Sequence, residues 1–134
     1  MKNAYGNSSS TEHSFGWEAN DLVNNSREKI SSLINCSPND IIFTSGATES
    51  NNISILGSLR RYYNKNVHAI TLNTEHKSIL DIFKFTEKQN IQVSYLNVKD
   101  NGILDLNYLK SKINSNTKLV SIMMANNEIG VIQP

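Results

Sequence analysis

One cysteine, one tryptophan, two prolines and six glycines in 134 residues narrow the possibilities at once. A lone thiol, Cys36, cannot close an internal disulfide and by itself cannot build a thiolate metal site. Charge of one sign is also lacking: 13 basic residues against 12 acidic ones leave a formal net charge of +1. So balanced a chain gives no electrostatic case for nucleic acid or for an anionic membrane as partner. No apolar run approaches the ~20 residues that cross a bilayer, and the polar start Met1-Lys2-Asn3 lacks the apolar core of a secretion signal. A cytoplasmic location is therefore the expectation. Neither GxGxxG nor GxxxxGK is present, so a general nucleotide-binding domain lacks support. No internal repeat is visible, and the abundant asparagines are interleaved with apolar segments rather than gathered in a tract.

What is present is enough apolar material for one globular piece, 38% of the residues. The apolar spacing predicts helices and strands in alternation. Helical spacing over 17–34 is stopped by Pro38. A buried strand at 41–44 precedes a helix over 47–62, a strand over 67–72, a helix over 76–88 and a strand over 91–98. After the turn signal Asp100-Asn101-Gly102 come a short helix over 105–113 and a continuous apolar strand over 119–124. This order implies an α/β fold with a mostly parallel sheet, buried on both faces by flanking helices. In such sheets ligands gather beyond the carboxyl ends of the strands. Residues 44–48, 74–76 and 125–128 each follow a predicted strand, so three groups are expected on one edge.

The segment Thr44-Ser45-Gly46-Ala47-Thr48-Glu49-Ser50-Asn51-Asn52 reads as strand, glycine turn and helix start. Gly46 is expected to adopt angles that a side chain would forbid, letting Ala47 and Thr48 open a helix with their N–H groups facing one spot. That spot suits a phosphate, favoured by the helix dipole and by the Thr48 hydroxyl. The alternative is a helix capped by Thr44 or Ser45 with no ligand.

Taken with Thr74-Glu75-His76-Lys77-Ser78 and Asn126-Asn127-Glu128-Ile129-Gly130-Val131-Ile132-Gln133-Pro134, this segment resembles the cysteine desulfurases, class V aminotransferase-fold enzymes that use pyridoxal phosphate. The likeness begins at Tyr5-Gly6-Asn7, passes through His13-Ser14-Phe15-Gly16-Trp17 and runs to the last residue. Ser8 stands where the family usually has proline, a change expected to loosen that turn. The resemblance implies part of a three-layer large domain over 1–134. It also implies that the rest of that domain, a small domain, the lysine that holds the cofactor covalently, the aspartate on the pyridine nitrogen and the sulfur-accepting cysteine lie outside these residues. This chain alone is then expected to be inactive. Its relatives convert L-cysteine to alanine and an enzyme persulfide for iron–sulfur cluster or thio-cofactor synthesis, as homodimers serving a sulfur acceptor or scaffold protein. A truncated remnant, or an interaction module pairing with a full-length relative, is the alternative.

The resemblance assigns roles residue by residue. Ala47 and Thr48 would hold the cofactor phosphate. His76 would stack on the pyridoxal ring and take part in proton transfer, against the plain reading of a helix-start histidine bonded to backbone. Asn127 would donate to the phenolic oxygen, against a turn asparagine before Gly130. Asn126 and Glu128 would shape that loop. Lys77 reads as a surface residue, since the family's covalent lysine belongs to a later motif. His13 reads equally as a residue near the substrate entrance or as a solvated loop histidine, and His68, within a strand, as structural. Cys36 has no neighbouring cation or histidine to activate it and reads as inert. Trp17 is expected to anchor the core.

Overall fold

The computed structural model describes residues 5–134, which fall into two compact units divided after Phe43. The first unit is built on helix α1, Ser14–Ile34. His13 caps its start, Nδ1 accepting the Gly16 N–H at 3.1 Å, and Asn35 ends it in the left-handed region at φ 56°. Residues 6–10 lie directly on the first turn of α1. A Cβ on Gly6 would come within 1.8 Å of the Phe15 carbonyl oxygen, and one on Gly16 within 2.0 Å of that of Ser10, so both positions need glycine. Only Gly16, Ala19 and Ser31 of the helix are buried. Trp17 is not a core anchor: it is 57% exposed, because its indole N–H reaches back to the Thr11 carbonyl at 2.7 Å and holds the ring along the helix surface.

The strand expected at 41–44 does not form. The ladder groups at its start are already used, since the Ile41 N–H bonds the Pro38 carbonyl at 3.2 Å and the Ile41 carbonyl accepts from the Arg27 guanidinium. That guanidinium also lies 5.0 Å over the Phe43 ring. Ile42 and Phe43 are left exposed.

The second unit carries the expected alternation. Helix α2, Ala47–Leu59, runs into a short 3-10 turn, Arg60–Tyr62. Then come strand β1, Val67–Leu72, helix α3, Lys77–Glu87, strand β2, Ile91–Leu96, helix α4, Leu106–Lys112, and strand β3, Thr117–Ser121. The three strands are parallel in the order β2-β1-β3. Every residue of central β1 is buried, and its alternating side chains feed two cores. Val67 and Ala69 pack with Ile55 and Leu59 of α2 and with Ile79, Ile82 and Phe83 of α3. Ile70 and Leu72 pack on the opposite face with Leu96, Leu104, Leu109 of α4 and Ile122. Helices, sheet and helix thus make three layers, with the strands buried on both faces only at the centre; outer β3 alternates between half-buried and exposed. β3 is also shorter than the apolar run 119–124 suggested. The Met123 N–H is taken by a side-chain carboxylate at 2.6 Å and the Met124 carbonyl by the Gln133 N–H at 2.8 Å, so the chain leaves the sheet after Ser121.

Candidate functional site

The order β2-β1-β3 means that the chain steps to one side of β1 and then returns to the other, which opens a crevice beyond the carboxyl ends of β1 and β3. Residues 74–76 follow β1 and residues 122–127 follow β3. Two hydrogen bonds join these segments: the Glu75 carboxylate accepts the Met123 N–H at 2.6 Å, and the Asn126 amide donates to the Thr74 carbonyl at 3.3 Å. A third link brings in α2. Asn51 Nδ2 donates to Ser78 Oγ at 3.1 Å, and that hydroxyl lies 2.8 Å from His76 Nδ1. Two of the three groups expected on one edge, residues 74–76 and 125–128, are therefore bonded to each other, and α2, which starts at the third, is tied to α3 through Asn51.

At the α2 end, Gly46 is the N-cap and has no side chain to offer, so neither Thr44 nor Ser45 caps the helix. Thr44 Oγ1 instead donates to the Gly46 carbonyl at 3.2 Å and sits 2.7 Å from Ser50 Oγ. Ser45 gives its N–H and its hydroxyl to Glu49, at 2.7 and 2.8 Å, which holds the Glu49 carboxyl below its usual value. The expected backbone demand on Gly46 is not found: φ 162° and ψ −176° are extended, and a Cβ would meet open space. What the absent side chain leaves is an uncapped helix start. Thr48 is exposed, and among the described residues its hydroxyl has no hydrogen-bond partner.

His76 is the N-cap of α3, accepting the Ser78 N–H on Nδ1 at 3.1 Å. The plain reading of a histidine bonded to backbone is therefore correct for one nitrogen. Because that N–H can only donate, the neutral ring carries its proton on Nε2, while the imidazole as a whole stays exposed. Lys77 is on the surface, paired with Asp81. Asn126 fixes the next loop: its Oδ1 accepts the N–H groups of Glu128 and Ile129 at 2.9 and 3.0 Å, and its own N–H bonds the Val131 carbonyl at 2.8 Å. Asn127, between these tied residues, is exposed with an amide that bonds nothing among the described residues. His13 lies in the other unit as the cap of α1.

Comparison with known proteins agrees with the motifs. The family model for class-V aminotransferases matches residues 1–134. The chain belongs to the class-V aminotransferase family. Within it, the cysteine desulfurase IscS of Ehrlichia chaffeensis is 54% identical over 130 residues, covering 97% of this chain and 32% of that protein. The IscS of Neisseria meningitidis serogroup A is 49% identical over 133 residues, covering 99% and 33%. Among solved structures, a NifS-like protein superposes with a TM-score of 0.90 at 38% identity, over 99% of this chain and 36% of that one. SspA in complex with cysteine does so at 0.90 and 33% identity, over 100% and 38%. The chain thus spans about a third of the length of the curated relatives it matches. These likenesses fit the resemblance drawn from the motifs and make the sheet part of a class-V large-domain fold. Membership implies pyridoxal phosphate as cofactor of the intact enzymes.

The donor set fits that cofactor. A helix start without a side-chain cap offers N–H groups to a phosphate, an exposed flat ring is free to stack, and a free amide is free to donate to a phenolic oxygen. One residue that sequence reasoning passed over is Glu75. It is buried to 7% exposure between exposed Thr74 and His76, and burial pushes its carboxyl up against the opposing N–H groups of Met123 and His76. Nothing in the local spacing marks it; the only signal was a carboxylate three residues beyond a mostly apolar strand.

Proposed function

We propose that this chain supplies the phosphate, ring and phenolate contacts of a cysteine desulfurase, Ala47 and Thr48 holding the cofactor phosphate, His76 the ring and Asn127 the phenolic oxygen. The observation that carries this reading is that the uncapped α2 start, the exposed His76 ring and the Asn127 amide stand on segments bonded together at the crevice between β1 and β3. When bound, pyridoxal phosphate supplies the electron sink that weakens the Cβ–S bond of L-cysteine. The residues of this chain bind and orient. The N–H groups at α2 and the Thr48 hydroxyl neutralise phosphate charge, and His76, with Nδ1 held by Ser78, presents Nε2 as the nitrogen that can hold or release a proton. In the whole enzyme one L-cysteine and one enzyme thiol would become alanine and an enzyme persulfide, the sulfur then passing to an acceptor or scaffold protein. A homodimer belongs to the same proposal.

The test compares two ligands. Pyridoxal phosphate and inorganic phosphate are titrated into the chain and into three variants. Thr48→Val keeps the shape and removes one donor, so it should weaken both ligands by about 1 kcal/mol, or somewhat more against a charged phosphate. His76→Ala and Asn127→Ala should weaken only pyridoxal phosphate, since inorganic phosphate has no ring or phenolic oxygen. Equal responses of both ligands to all three variants, or no binding at millimolar concentration, would overturn the assignment.

A further inference from the structure

The binding groups do not hold one another in place. His76 is fixed by Ser78, while among the described residues Asn127 has no bond through its side chain, so its position follows from its loop. That loop reaches the β1 side through two bonds, Asn126 Nδ2 to the Thr74 carbonyl and Met123 N–H to Glu75 Oε1. The second is the shorter by 0.7 Å and the more deeply placed, with Thr74 exposed and Glu75 buried. It is also expensive. Among the described residues no ion pair involves Glu75, and a carboxylate taken out of water without a salt-bridge partner is costly even when amides face it. An apolar residue would fill the space without that cost. The acceptor oxygen is what an apolar residue could not supply, and it is spent on the amide that turns the chain out of β3 towards Asn127.

We propose that Glu75 is a positioning residue, whose carboxylate, docked on the Met123 N–H, sets the loop carrying Asn127 against the segment carrying His76. This rests on the cofactor reading given above. Glu75 touches neither phosphate nor ring; it acts through Asn127. Charge is not what the role needs, because an amide oxygen at the same place accepts the same N–H. Glutamine should therefore serve and alanine should not.

The experiment uses the 134-residue chain at fixed protein concentration with Glu75→Gln, Glu75→Ala, Asn127→Ala and the double variant Glu75→Ala/Asn127→Ala. Dissociation constants are measured for pyridoxal phosphate and for inorganic phosphate, and hydrogen exchange is followed at the amides of Met123, Glu128 and Ile129. Glu75→Ala should raise the constant for pyridoxal phosphate about tenfold, leave that for inorganic phosphate unchanged and speed Met123 exchange at least tenfold. Glu75→Gln should stay within about threefold of the parent chain in both readings. The double variant should bind no worse than Asn127→Ala alone, because residues acting as one unit do not add. Multiplying losses, equal weakening of inorganic phosphate, or Met123 exchange indifferent to Glu75→Ala would overturn the proposal. If the parent chain binds no pyridoxal phosphate, the cofactor reading falls, and the exchange rates alone decide whether Glu75 holds the loop.

Discussion

Both ring nitrogens of His68 are bonded, Nδ1 to Thr117 Oγ1 and Nε2 to Ser94 Oγ, each at 2.8 Å, so one imidazole joins β1 to both of its neighbours. Desolvation holds its pKa below the ordinary 6.5. On acidification the unfolded chain therefore takes up a proton at His68 before the folded chain does. Stability from the neutral ring is complete above pH 6.5 and is lost as pH falls through the lowered folded value. Glu75 runs the other way: its carboxyl is raised above 4.5, so its contribution is present below that value and is lost as pH rises through the folded one. His68→Gln should lower the urea midpoint at about pH 7, and the gap to the parent chain should narrow towards about pH 5. A gap independent of pH would mean that His68 does not titrate differently in the two states. Residues of this kind were unevenly legible. His76 and Asn127 stood out through their motifs and His68 through its strand. The buried Glu75 did not, because burial depends on a loop 48 residues away, and the relaxed backbone at Gly46 did not, because a glycine is compatible with almost any turn.

Elements with many partners were the ones that the apolar pattern located. β1 matched its predicted bounds because a run buried on both faces needs no turn to define it, and α3 followed from Ile79, Ile82 and Phe83 at helical spacing. The same pattern misread residues 41–44 and 122–124. Both are apolar runs whose backbone groups are taken by Pro38 and Arg27 in the first case, and by Glu75 and Gln133 in the second. Periodicity reports which side chains seek burial, not which amides find a ladder. The element that holds the site together is α3, and Phe83 is its centre, fully buried among residues of α2, β1 and β2. Phe83→Ala should destabilise the second unit by about 3–5 kcal/mol, the range for an aromatic ring removed from a packed core. Denaturant unfolding checks it. A loss below about 1 kcal/mol would show that the α2–α3 layer repacks freely or is not the core described here.

At the scale of the whole molecule, many large apolar side chains are left uncovered. In the first unit Phe15, Trp17, Leu22, Leu33 and Ile34 of α1 are each more than half exposed, and in the second so are Met124, Ile129 and Ile132. Single exposed apolar residues need no explanation, but this many along one helix and one terminal segment do. β3 adds a second hazard. Among the described residues it is bonded to a strand on one side only, and it carries Val120 at 40% exposure, with Lys118 its single charge. The chain made alone should therefore self-associate. Size-exclusion chromatography with light scattering should show mass rising with concentration, and a dye for apolar surface should fluoresce on mixing. Val120→Lys puts a charge on the open strand and should reduce the association without a matching loss of fold, since that side chain is largely outside the two cores. Replacing Leu33 by aspartate, Leu33→Asp, should do so through α1 instead, where the leucine is 84% exposed. If one substitution abolishes association and the other leaves it unchanged, the responsible surface is identified. A monodisperse monomer with a sharp melting transition and no dye signal would contradict the expectation for both.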